Sequence, residues 1–301
     1  MKIVVVVPAY NEADRIREAM AGLGGLRERL AQDSLDLGII VVNDGSTDDT
    51  GRLAADAGAN RVVTHKVNQG LGAAVRTGLM AARRAGADIV VKFDGDLQHD
   101  PNDIPALIAP IVADEADVVY GNRFERMEYR MPFVRRVGNI VFTWLMRRLT
   151  RWPLKDSQPG IFAVNRAYLS DFSMPGDYNY TQQILVDAYH RGLRFCHVPV
   201  AFRRRMTGRS FVSLKYPLKV LPQIVRVLVC VKPLHVFGLI GLAFLLAAGV
   251  VAAADVLLWA RGMAHKPLLH IVGVIGLTLF GLQTLFFGLL ADLIVQRGRR
   301  D

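Results

Sequence analysis

Three oxygen-bearing side chains stand within five positions of one another in Asp94-Gly95-Asp96-Leu97-Gln98, directly after an apolar run. Two carboxylates that close repel unless a cation sits between them. Hard oxygen ligands that leave positions open for phosphate suit Mg²⁺ or Mn²⁺. The pattern asks for a metal-bound diphosphate. Acidic turns after strands are common, so the company matters: Glu12 and Asp44 close neighbouring apolar runs in the same way. Asp44 can accept hydrogen bonds from a base or ribose, or simply cap its turn ahead of Gly45-Ser46-Thr47. Gly70 and Gly72 let backbone approach a ligand, or serve a plain tight turn. His99 can touch a metal or phosphate, or hold the turn before Asp100-Pro101.

The elements that must position these groups are short β-branched runs alternating with helical segments. Strands are expected at 2–7, 38–42, 61–64, 88–93 and 117–120, with helices at 12–30, 47–57, 71–84 and 104–113. That alternation is the mark of an α/β fold, a mostly parallel sheet covered by helices. Ligands bind beyond the carboxyl ends of such strands, which is where the polar clusters fall. No GxGxxG follows the first strand and no Walker A sequence occurs, which disfavours nicotinamide chemistry and P-loop hydrolysis. Cys196 and Cys230 lie far apart with no partner spacing, so neither a disulfide framework nor a zinc site is expected.

The last quarter is of another kind. Residues 234–260 carry Asp255 as their only charge, and residues 268–295 carry only Asp292. Each run exceeds the ~20 apolar residues a spanning helix needs. The connector around Arg261-Gly262-Met263 is too short for a domain, so an antiparallel transmembrane hairpin is expected. Between 201 and 232 there are eight basic residues and no acid, and Arg297, Arg299 and Arg300 follow the second run, whereas the connector has Arg261 and Lys266. This bias places the large N-terminal part and both termini in the cytoplasm. The formal charge of +10 (37 Lys+Arg against 27 Asp+Glu) is explained by anionic lipid beside these segments, which disfavours a nucleic-acid partner.

The ordered series Pro8-Ala9-Tyr10-Asn11-Glu12, Asn43-Asp44-Gly45-Ser46-Thr47-Asp48, Asn68-Gln69-Gly70-Leu71-Gly72, Asp94-Gly95-Asp96-Leu97-Gln98-His99-Asp100-Pro101 and Gly121-Asn122-Arg123 closely resembles inverting glycosyltransferases of family 2. Within these it resembles the dolichol-phosphate mannose synthase and polyprenyl-phosphate glycosyltransferase branch, over about residues 1 to 232. The resemblance implies a GT-A fold over 1–212, juxtamembrane interfacial helices over 213–232, two transmembrane helices over 233–296 and a tail at 297–301. It implies transfer of one sugar from a nucleotide-diphosphate donor, of GDP-mannose, UDP-glucose or UDP-GlcNAc type, to a polyprenyl or dolichyl phosphate. By matching positions, Pro8, Tyr10, Glu12, Val42, Asp44 and Gly95 would hold the nucleotide sugar. Asp94, Asp96 and Gln98 would hold the metal and diphosphate, Asp96 with a catalytic part. Arg123 would contact the phosphates, and Arg205, in Arg205-Met206-Thr207-Gly208-Arg209-Ser210, would clamp the donor or acceptor phosphate.

A lipid acceptor needs a route to such a site. Val134, Val137, Val141, Trp144, Leu145 and Leu149 fall at helical spacing among Arg135, Arg136, Arg147, Arg148 and Arg151. Two structures fit: a basic amphipathic helix at the headgroup level, or a core-packed helix with a solvated basic edge. On the first, Arg135, Arg136 and Asn139 would face the lipid phosphate. The chain departs from the family pattern at Pro159, Ile161 and Phe162, where a hydroxyl, Phe and Arg are usual, and at Gln183 and Phe211, where an acid and Lys are usual. These changes alter the expected sugar pocket. Two other functions fit the sequence less well. A polysaccharide synthase needs a longer spanning bundle and a Gln-x-x-Arg-Trp motif, and Gln223-Ile224-Val225-Arg226-Val227 lacks the tryptophan. A non-catalytic membrane adaptor would have no need of Asp94, Asp96, Arg123 and Arg205 together. A homo-oligomer stays compatible with all of these.

Overall fold

The computed structural model describes residues 1–32, 34–127, 133–174, 177, 179–203, 229 and 233–297. The chain divides into two compact units, Met1–Val220 and Leu221–Asp301.

In the first unit, the valine run of β1 (Lys2–Ala9) is buried from Ile3 onward and so has both faces covered, as a central parallel strand requires. It pairs in parallel with β2 (Asp36–Asn43) and β4 (Ile89–Lys92), and β2 pairs with β3 (Arg61–Thr64). The full order is β3-β2-β1-β4-β6-β5-β7, completed by β5 (Val118–Met127), β6 (Phe162–Asn165) and β7 (Phe195–Phe202). Only β6 runs against its neighbours. The first five strands match the sequence expectation, whereas β6 and β7 were not anticipated. β6 is a four-residue run whose identity comes from the partners it pairs with, and β7 is an eight-residue strand at the sheet edge.

Helices α1 (Ala13–Gln32), α2 (Thr50–Asp56), α3 (Leu71–Arg84) and α4 (Ile104–Val112) fill the crossovers. α1 turns Ile16, Met20, Leu23, Leu26 and Leu30 inward, each burial worth roughly 1.5–3 kcal/mol. α5 (Phe133–Thr150) follows β5, and α6 (Arg166–Ser170) and α7 (Tyr180–His190) separate β6 from β7.

The second unit holds α8 (Pro233–Ala260) and α9 (Ile271–Arg297), both long and apolar enough to cross a membrane. They pack as a hairpin: Cβ atoms added at Gly241 and Gly281 would stand 2.8 and 2.9 Å from each other's carbonyl oxygens, so only glycine permits this approach. At the turn, Asp255 accepts from the His270 backbone N–H (2.7 Å) and pairs with its ring Nδ1 (2.8 Å). The segment 213–232, expected as interfacial helices, lies outside the described residues apart from Val229.

Candidate active site

The carboxyl ends of β1, β2 and β4 bring the sequence motifs to one side of the sheet. Pro8 and Val42 are register partners across β1 and β2. Tyr10, just past β1, is about half exposed. The two loops are laced together: Asn11 N–H donates to Ser46 Oγ (3.0 Å) and Thr47 N–H to Asn11 Oδ1 (2.9 Å). Glu12 pairs with Arg15 at 2.8 Å.

Asp44 is buried and organises the next loop. Its carboxylate accepts from the Gln69 N–H (2.9 Å) and the Gly70 N–H (2.8 Å) and pairs with His65 Nδ1 at 2.7 Å. The other ring nitrogen of His65 meets Thr77 Oγ1 at 2.9 Å. A carboxylate thus clasps residues 65–70, and the turn-holding role is the one its contacts display. Sequence reasoning passed over His65; its signal was position, at the carboxyl end of β3.

At the end of β4, the chain turns through Leu97 at φ +62°. Asp96 Oδ1 accepts the Gln98 N–H (3.1 Å). The Gln98 side-chain amide donates to the Arg203 carbonyl (3.2 Å), and the Arg203 N–H to the Gln98 carbonyl (2.8 Å), which ties the loop to the end of β7. A Cβ added at Gly95 would stand 3.4 Å from Val7 Cγ1. Arg205 lies outside the described residues, two positions beyond Arg203.

Lys92, missed at the sequence level, lies beneath this loop. Its ammonium is 1% exposed and donates to Asp94 Oδ1 and to the Gly160 carbonyl, both at 2.6 Å. It also sits 5.8 Å from the centre of the Tyr180 ring. Burial alone would depress its pKa, but Asp94 and then Tyr180 override that and raise it, so the group stays charged. The missed signal was strand periodicity, since residues 92 and 94 share a face. Gly160 is needed here: a Cβ would come within 2.2 Å of His99 Nε2 and 3.2 Å of Asp94 Oδ2. His99 is buried against Phe202, and burial lowers its pKa to about 4 although Asp94 pulls the other way. The imidazole is therefore neutral at neutral pH, and it fills the turn.

Arg123 and Asn139 meet at one buried acid. Arg123 is 5% exposed, with Nε 2.8 Å from the fully buried Asp156. Asn139, expected to face lipid, points inward and donates to Asp156 Oδ1 at 2.9 Å. The same oxygen accepts the Gln158 N–H (2.9 Å). Asp156 gathers three elements, and a carboxylate with 0% exposure is costly to bury without such partners. Arg136 is exposed; the side chain of Arg135 lies outside the described residues.

α5 divides its apolar residues between two faces. Phe142, Leu145, Met146 and Leu149 are buried together with Asn139 and Thr143. Val137, Ile140, Val141 and Trp144 are exposed, Trp144 at 62%, beside Arg136 and Arg148. The single apolar face expected from spacing is thus two, one in the core and one turned outward.

Among the described residues no cluster of three or more His, Cys, Asp or Glu gathers. A cation here would rest on Asp96, the Asp94 oxygen that Lys92 does not take, the Gln98 amide oxygen and oxygens of its ligand. That hard, incomplete set fits Mg²⁺ or Mn²⁺, which are commonly held by one or two carboxylates plus substrate phosphates. Beside it, a cavity of about 180 Å³ is lined by Gln158, Pro159, Asn179, Tyr180, Thr181 and Gln182, with amides and hydroxyls but no carboxylate.

Comparison with known proteins places these features. The family model described as glycosyl transferase family 2 matches residues 4–172. The UDP-N-acetylglucosamine–dolichyl-phosphate N-acetylglucosaminyltransferase of Methanococcus voltae is 31% identical over 219 residues, covering 66% of this chain and 84% of that one. The dodecaprenyl-phosphate galacturonate synthase of Rhizobium johnstonii is 26% identical over 317 residues, covering all of this chain and 90% of its own. Among solved structures, glucosyl-3-phosphoglycerate synthase from Mycobacterium tuberculosis, in complex with Mn²⁺, UDP and glucosyl-3-phosphoglycerate, superposes with a TM-score of 0.59 at 27% identity. It covers 75% of this chain and 78% of that one.

Proposed function

The chain belongs to glycosyltransferase family 2, in its polyprenyl-phosphate branch, and from that premise we propose that it moves one sugar from a nucleotide-diphosphate donor to a polyprenyl phosphate at a membrane surface. The carrying observation is the pairing of a hard-oxygen donor loop, Asp94 to Gln98, with an α5 that turns Val137, Ile140, Val141 and Trp144 outward beside arginines. A soluble acceptor would not call for the second feature. A lipid acceptor does, because apolar residues flanked by basic ones bind an anionic leaflet.

In this reaction the bond from the anomeric carbon to the diphosphate breaks, and a bond to an acceptor phosphate oxygen forms on the opposite face. That oxygen is already ionised near neutral pH, so no strong general base is required. A bound divalent ion supplies positive charge against the charge growing on the leaving diphosphate. Asp96, Asp94 and Gln98 would hold that ion. The β1 and β2 loops, with Tyr10, Glu12 and Asp44, would hold the nucleotide, the Asp44 clasp fixing loop 65–70 against it. Arg123 acts through Asp156, keeping Gln158 and the sugar-side cavity in place. Arg205 is retained as a phosphate ligand from the sequence pattern. The basic excess flanking the two apolar helices supports a hairpin spanning the bilayer with the catalytic unit in the cytoplasm.

The test is to incubate the detergent-purified protein with short polyprenyl phosphate, Mg²⁺ or Mn²⁺ and a panel of UDP- and GDP-sugars. Mass spectrometry of the lipid should show one added sugar, absent with Asp96→Asn. Nucleotide-sugar binding without transfer to any lipid phosphate would favour an adaptor instead.

A further inference from the structure

Lys92 sits in a strand where every neighbour is apolar and buried, so a methionine or leucine would fill its place without placing a charge in the core. Buried ion pairs are often replaceable by apolar residues with no loss of stability, which leaves the charge itself to be explained. Its three contacts belong to three separate parts of the donor site: Asp94 in the metal loop, Gly160 beside Gln158 and Pro159, and Tyr180 in the cavity wall.

We infer that Lys92 is a positioning cation built into the donor site: it holds the Asp94 carboxylate and the Gly160 carbonyl together before any metal arrives, and its charge sets how strongly the aspartate pair draws a divalent ion. The inference rests on the donor-site reading above and assigns it a control of its own. With Lys92 beside it, the Asp94–Asp96 pair presents one net negative charge rather than two. A divalent ion is then drawn mainly by Asp96, and the site stays assembled when nucleotide diphosphate and ion depart. Removing a unit charge a few ångströms from a divalent ion changes its affinity by at least about tenfold, the value for a water-like dielectric, and by more where the site is shielded from water.

The test uses the full chain in detergent, with Lys92→Met and Lys92→Gln. Mn²⁺ binding is read by electron paramagnetic resonance without donor, and thermal unfolding is followed alongside. Both variants should bind Mn²⁺ at least about tenfold more tightly than the wild type. Lys92→Gln, which keeps an amide donor for the Gly160 carbonyl, should retain more sugar transfer than Lys92→Met. A wild-type Kd in the variants, with only the melting temperature lowered, overturns the inference and makes the pair purely structural. If Lys92→Met does not fold, Lys92→Gln alone decides the outcome by the same Kd. Absence of saturable Mn²⁺ binding by the wild type is a different result: it removes the metal-site reading itself, and the inference with it.

Discussion

The two halves of the crevice satisfy their acids by different means. On the β2 side, Asp44 is held by two backbone amides and a histidine, all from the stretch of chain that follows it. On the β4–β5 side, Asp94 and Asp156 are held by the full charges of Lys92 and Arg123, the second pair joining residues 33 positions apart. Neutral donors cost little to bury and are lost one at a time. The fully buried Arg123–Asp156 pair fails as a unit, since removing either member strands the other. The first half should therefore tolerate change that the second does not.

The largest expected effect is on the charge-held half. Arg123→Met leaves Asp156 buried without its cation, and should cost about 3–5 kcal/mol of stability in chemical denaturation. Acid should weaken the same half next. His197, whose pKa burial lowers to about 4, uses Nε2 to accept the Lys155 N–H at 3.0 Å, so protonation breaks that bond. The unfolded chain takes up this proton near pH 6.5 and the folded one only near 4. Stability is thus complete above 6.5 and falls as pH drops toward 4, by up to about 3 kcal/mol. Melting curves between pH 7 and 4 should show the slope, and His197→Gln should reduce it by about half, because His99 carries a like shift. Asp44→Asn turns an amide NH₂ toward an N–H donor and should cost about 1–3 kcal/mol, with a raised KM for the nucleotide sugar. Smallest is His65→Gln, about 0.5–1.5 kcal/mol by the same denaturation, because the two backbone amides still hold Asp44. A loss at His65 as large as that at Arg123 would erase the distinction between the halves.

The same division governs what could be read from the chain alone. Motif residues after β1, β2 and β4 were legible because a parallel sheet delivers its strand ends to one side, whatever the details of packing. Lys92 was hidden in an apolar run, although the two-residue strand period already put it beside Asp94. Asp156 with Arg123 and Asn139 was not legible, since nothing local links residues on β5, α5 and the following loop until the sheet is assembled. β6 escaped for a similar reason: it is four residues long and exists by pairing with β4 and β5. α5 was read as one apolar stripe because spacing shows which residues share a face, and not how many of them the core has room to take.

That outward stripe on α5 bears on how the enzyme can be handled. Deleting α8 and α9 would not turn the catalytic unit into an ordinary soluble protein, because Val137, Ile140, Val141 and Trp144 would be left as a contiguous oily strip in water. A chain cut after residue 203 should self-associate in buffer and disperse with mild surfactant. Replacing Ile140 and Trp144 with Gln and Lys should make the shortened form monomeric while leaving its folded core intact.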